Sequence, residues 1–161
     1  MPGPGRPDPR GQSKITMQSI SIRYDPPVNG WIRLFLHIGV HHVVIDASDV
    51  PNNPVQELMD ALDSIASGRK ATVWWNLEPD GYFMHFEPKN DRIDFCLEFS
   101  SNSDVRHSHP VVTAQGTPAE ILLPFWRFLR DFQSRDYPEM HWPEVCYQRV
   151  STIKDNILRE R

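Results

Sequence analysis

The chain has 161 residues, a formal net charge of −4, 39% hydrophobic and 24% charged residues, which suits one globular domain and excludes a disordered or fibrous chain. No apolar run approaches the ~18 residues that span a bilayer, and the start, MPGPGRPDPRG, lacks the hydrophobic segment of a secretory leader, so a soluble cytoplasmic protein without membrane contact is expected. Acidity is concentrated in residues 46–98, with eleven acids against four bases; that sign repels phosphates, arguing against nucleic-acid binding, and attracts a partner with a positive surface.

Residues 1–14 carry four prolines and three glycines in their first eleven positions and no apolar periodicity. They read as a disordered tail, leaving 15–161 for a single α+β domain. Ile20, Ile22 and Tyr24 recur at period two, the pattern of a half-buried strand, which Asp25-Pro26-Pro27-Val28-Asn29-Gly30 closes. Trp31 to Ile38 is a second strand, and Val43-Val44-Ile45 continues the extended signal after Gly39, so two or three strands precede the first helix. That helix is predicted over about 54–67, because Asn53 can cap it, Pro54 suits its first position and Gly68 suits the residue just past its end. Val55, Leu58, Met59, Leu62, Ile65 and Ala66 form one apolar stripe and leave Gln56, Glu57, Asp60, Asp63 and Ser64 for solvent.

Ala71, Val73, Trp75 and Leu77 alternate along 71–78, Pro79-Asp80-Gly81 supplies turn chemistry, and Tyr82 to Glu87 returns as the second arm of a hairpin. After Pro88-Lys89-Asn90-Asp91, a third strand alternates Ile93, Phe95, Leu97 and Phe99 with Asp94, Cys96 and Glu98. Residues 100–108 read as a polar loop and 109–115 as a short edge strand. Thr117-Pro118-Ala119-Glu120 has the spacing of a capping box. The helix it opens carries Ile121, Leu122, Phe125, Phe128, Leu129 and Phe132 on one side, with Pro124 expected to kink it or delay its start and Tyr137-Pro138 to end it. Cys146, Val150, Ile153 and Ile157 mark a closing amphipathic helix toward residue 160. The predicted class is α+β: a mainly antiparallel sheet, built as a strand pair, a helix and a three-stranded meander, packed by two to three helices.

Catalytic chemistry finds little support. His37, His41 and His42 lie near Asp46 and Asp49, donors that could hold a zinc-like ion, but strand alternation sends neighbouring side chains to opposite faces. His107 and His109 near Asp104 fit an exposed loop. No strained nucleophile turn and no phosphate-cradling glycine loop occurs. Cys96 shares a strand face with Asp94 and Glu98, where carboxylates raise a thiol pKa, and Cys96 and Cys146 read as reduced thiols. Glu78 and Glu87 could pose as paired carboxylates, yet they flank turns at strand ends. No cofactor is expected. Five Trp, eight Phe and four Tyr mostly serve the core, but if Trp75 faces the helices, Trp74 shares the outer face with Thr72, Asn76 and Glu78. A half-exposed Trp framed by acids is a binding anchor, unless a later segment such as 137–142 covers it.

The run Asp49-Val50-Pro51, Pro54, Leu58, Leu62 and Gly68, followed by Trp75-Asn76-Leu77-Glu78-Pro79-Asp80-Gly81-Tyr82, resembles a group of small bacterial proteins with a W-x-x-E-P-x-G-Y strand-turn motif. In size and style they resemble the immunity proteins of polymorphic toxin systems. The resemblance covers roughly residues 31–160 and carries over no catalytic residue. It implies a non-enzymatic inhibitor that occludes a cognate, basic toxin domain with an acidic, aromatic-bearing face, and the candidate contacts are Asp60, Asp63, Trp74, Glu78, Asp80 and Glu87. The alternatives are a metal-binding protein or enzyme using His37, His41, His42 and Asp46, and a homodimeric structural or regulatory subunit.

Overall fold

The computed structural model describes residues 19–135, 142 and 146–159; the expected tail at 1–14 and the Tyr137-Pro138 helix stop lie outside them. Strands β1 (Ile20–Val28), β2 (Trp31–Ile38) and β3 (His41–Ser48) form a three-stranded antiparallel sheet. Strands β4 (Ala71–Asn76), β5 (Gly81–Lys89), β6 (Arg92–Ser100) and β7 (Ser108–Gly116) form a second, four-stranded one. Helices α1 (Pro54–Ala66), α2 (Pro118–Gln133) and α3 (Tyr147–Leu158) complete an α+β fold. The fold class is as predicted, with two extensions. The initial strand pair is a full three-stranded sheet, and the edge strand lengthens to nine residues and makes the meander four-stranded. A short 3-10 turn, Val105–His107, interrupts the predicted loop.

Local chemistry fixes the element ends. Asn29 and Gly30 both take positive φ, 51° and 79°, the requirement of a two-residue type I′ hairpin between the paired Val28 and Trp31. Asn53 Oδ1 accepts from the backbone N–H groups of Val55 and Gln56 at 3.0 and 3.1 Å, capping α1. Its far end is a Schellman motif: Gly68, at φ 86°, donates to the Ile65 carbonyl at 2.9 Å and Arg69 to that of Ser64 at 3.0 Å. The capping box of α2 is formed in both directions, Glu120 N–H to Thr117 Oγ1 at 3.2 Å and Thr117 N–H to Glu120 Oε1 at 2.9 Å. Pro124 lies inside α2 without delaying its start.

The inner faces of both sheets meet the helices in one apolar core. α1 packs on β4, and α2 packs on β1, β6 and β7, while α3 lies against α1 and α2 rather than on a sheet. Phe86, Phe95 and Phe125 interlock with ring centroids 5.1 to 5.4 Å apart. Tyr24 ties the first sheet to α2: its ring meets Phe128 edge-on at 5.1 Å and its hydroxyl donates to Asp131 Oδ2 at 2.7 Å. Trp142 is buried against Phe132. No helix among the described residues is long and apolar enough to cross a membrane.

Candidate functional site

The β4–β5 hairpin organises the most chemically distinctive surface. Alternation sends Val73 and Trp75 into the core, fully buried, and turns Thr72, Trp74 and Asn76 to the opposite face. The register pairs Asn76 with Gly81, Trp74 with Phe83 and Thr72 with His85. Trp74 and Phe83 therefore pack with ring centroids 4.5 Å apart, and Phe83 stacks on His85 at 5.8 Å with only 19° between the planes. This aromatic row lies on the sheet face away from the core.

Trp74 is held at its backbone as well as its ring. Its N–H donates to Glu57 Oε1 and its carbonyl accepts from Asn52 Nδ2, both at 2.9 Å, so α1 and the segment before it occupy this edge of β4. Asn76 Nδ2 donates to the Val50 carbonyl at 2.6 Å, and Asn76 Oδ1 accepts from the Glu78 N–H at 3.1 Å. Beside them opens a cleft of about 450 Å³ lined by Pro51, Trp74, Asn76, Glu78, Pro79, Asn102 and Ser103. Glu78 and Ser103 stand at φ 58° and 64°, a left-handed conformation that Asn adopts readily and that these two residue types rarely do.

A second hollow, of about 690 Å³, lies farther along the same face, lined among others by Lys70, Thr72, His85, Glu87, Cys96, Glu98 and Ser108. A polar chain crosses it: Thr72 Oγ1 to His85 Nδ1 at 2.9 Å, then His85 Nε2 to Glu98 Oε2 at 3.1 Å, with the Ser108 hydroxyl donating to the same carboxylate oxygen. The Ser108 hydroxyl, with help from His85 and against the cost of burial, holds the Glu98 carboxyl below its ordinary pKa. Burial first, and the Glu98 carboxylate second, pushes the Cys96 thiol up, which disfavours the reactive thiolate. The direction is the one expected from the sequence; the larger cause is burial.

The six residues singled out from the sequence do not share one face. Asp60 and Asp63 lie on α1, where Arg149 of α3 reaches both, Nη2 standing 2.6 Å from Asp60 Oδ1 and 3.5 Å from Asp63 Oδ2. The side of α1 expected to be anionic is thus partly neutralised from within. Trp74 and Glu78 come together at the cleft. Asp80, half-buried in the turn, accepts the Leu77 N–H through its carbonyl at 2.7 Å; its charge and, more strongly, burial raise the Tyr82 phenol. Glu87 borders the second hollow at the far end of β5. Glu87 stands six residue steps along β5 from Gly81, a span of roughly 20 Å, which places Glu78 and Glu87 too far apart for paired-carboxylate chemistry.

The histidine segment divides as strand alternation requires. His37 and His42 face each other across β2 and β3 with centroids 4.2 Å apart, His41 sits at the strand start opposite Ile38, and Asp46 is held by Arg33 at 2.7 Å. Among the described residues no three His, Cys, Asp or Glu side chains converge on a common point for a metal. Sequence reasoning missed Phe83, His85, Asn102 and Ser103. Counting outward from the Asn76–Gly81 closing pair gives the Trp74–Phe83 and Thr72–His85 neighbours; nothing local brings Asn102 and Ser103 to Trp74. The chain matches no family model, no curated protein and no solved structure.

Proposed function

We propose that the protein is a non-enzymatic binding protein, an immunity-type inhibitor that acts in the cytoplasm by covering a cognate basic toxin domain with the outer face of its four-stranded sheet. The observation that carries this reading is the Trp74–Phe83–His85 row, which lies on the sheet face opposite the buried Val73 and Trp75, with Glu78 at the cleft and Glu87 at the second hollow forming no ion pair among the described residues. Aromatic anchors supply affinity when a partner desolvates them, and surrounding charge of one sign steers a partner of the other. The reading needs no cofactor. Asp60 and Asp63, already engaged by Arg149, contribute to steering more than to contact.

A basic toxin domain, sought among the products of the adjacent genes, is the partner to test by calorimetry and stopped-flow mixing. Trp74→Ala is expected to weaken binding by about thirtyfold or more, the scale of a hot-spot truncation. A Glu78→Lys/Glu87→Lys double variant is expected to slow association and flatten its salt dependence, while Asp60→Asn changes affinity less than about twofold. Full neutralisation by a Trp74→Ala/Glu78→Lys variant overturns the proposed surface.

A further inference from the structure

We infer that the cleft between Pro51, Trp74 and Pro79 seats one arginine side chain of the partner, an inference that rests on the docking surface proposed above and names its central contact. Most of the cleft's polar lining groups are already engaged. Asn76 has spent its amide on the Val50 carbonyl and the Glu78 N–H. Asn102 Oδ1 accepts from the Asp104 N–H at 3.2 Å, and the Ser103 hydroxyl donates to the Asn102 carbonyl. What remains is the exposed Glu78 carboxylate, the Asn102 side-chain NH2, an indole and two proline rings, and no Lys or Arg lines the cleft.

Such a site rejects anions and leaves a neutral amide without a charged partner. It suits a flat cation whose face lies on an indole while its edge donates to a carboxylate, which is the chemistry of a guanidinium. A lysine ammonium carries its charge at a compact, strongly hydrated point and gains little from a flat apolar wall. The rim is also fixed before the ligand arrives. Glu78 and Ser103 are held in the left-handed region by turns closed through Leu77 N–H to the Asp80 carbonyl at 2.7 Å and Ser100 Oγ to the Asp104 carbonyl at 2.9 Å, so little ordering is left for binding to accomplish.

The test uses the full chain with ¹⁵N-labelled indoles, the Trp74 signal being identified by its loss in Trp74→Phe. Acetyl-Gly-Arg-Gly-amide is titrated in at low salt beside its lysine and citrulline counterparts. The arginine peptide is expected to shift the Trp74 signal saturably, with the other two at least tenfold weaker; Glu78→Gln, an exposed and nearly isosteric change, is expected to lower the arginine peptide's affinity at least fivefold while the remaining spectrum is unmoved. Equal binding of citrulline or lysine, or an affinity insensitive to both Glu78→Gln and Glu78→Ala, overturns the seat. The two proposals fail separately. A toxin domain whose affinity depends on Trp74 while the arginine peptide leaves its signal unmoved overturns the arginine seat alone. A peptide that binds as described while no basic domain does overturns the docking surface and leaves a free arginine-bearing peptide as the ligand.

Discussion

A methyl group on Gly81 would stand 2.3 Å from the Trp75 carbonyl oxygen and 2.5 Å from the Trp74 ring, and the first of these is backbone that cannot swing aside. Gly81→Ala is therefore expected to lower stability by about 1–3 kcal/mol, as overpacking does, measured by urea denaturation, and to displace the indole from the cleft. Glu98 gives the stability a pH dependence. Its folded pKa lies below the ordinary value of 4.5, so its contribution is complete above about pH 4.5 and is lost as pH falls through the depressed folded value. Urea titrations over a pH series are expected to show a shallower acid loss of stability in Glu98→Gln than in the parent. Of these side chains, Trp74, Thr72 and Asn76 were assignable to the outer face from period-two alternation, since that periodicity is a property of the extended chain itself. Phe83 and His85 required the hairpin register. Asn102 and Ser103 reach the cleft through bonds such as Ser100 Oγ to the Asp104 carbonyl, which form only when the loop has folded onto the end of β6.

At the level of elements, the helix ends that a sequence announces are those closed within four residues. Asn53, Gly68 and the Thr117/Glu120 box all act locally, and all three stand where they were expected. α3 differs, for Cys146 provides no side-chain cap, and its attachment depends on a residue 24 positions away, the buried Trp126 Nε1–H donating to the Val150 carbonyl at 2.7 Å. Lys154 and Arg130 lie over the same indole at 4.9 and 5.1 Å. Trp126→Phe keeps most of the apolar bulk and removes that bond while the Val150 carbonyl stays in the helix ladder, a loss of about 0.5–1.5 kcal/mol. Hydrogen exchange is expected to report it first as faster opening of α3 amides, with β5 and β6 unaffected at low denaturant. A uniform loss of protection in every element would contradict this placement of α3 as a separately held helix.

For the molecule as a whole, charge was legible as a quantity and illegible as a pattern. The acidic excess of residues 46–98 is plain in composition, but the cation that meets Asp60 and Asp63 comes from Arg149, 86 positions beyond Asp63, and only the packing of α3 against α1 brings it there. Arg149→Ala is expected to cost less than about 1 kcal/mol, because the pair is solvent-exposed, and to lose that difference in high salt; thermal melts at two ionic strengths check it. The α+β class followed from the order of periodicities, while the division into two sheets did not, since alternation specifies faces and says nothing of which strands pair. The bond from Tyr24 to Asp131 spans 107 positions and sets a schedule for synthesis. β1 emerges from the ribosome long before the helix that packs on it, and loop closure over that distance comes late. Until then the apolar side of β1 stands uncovered on the nascent chain, and its burial waits for the last third of the sequence.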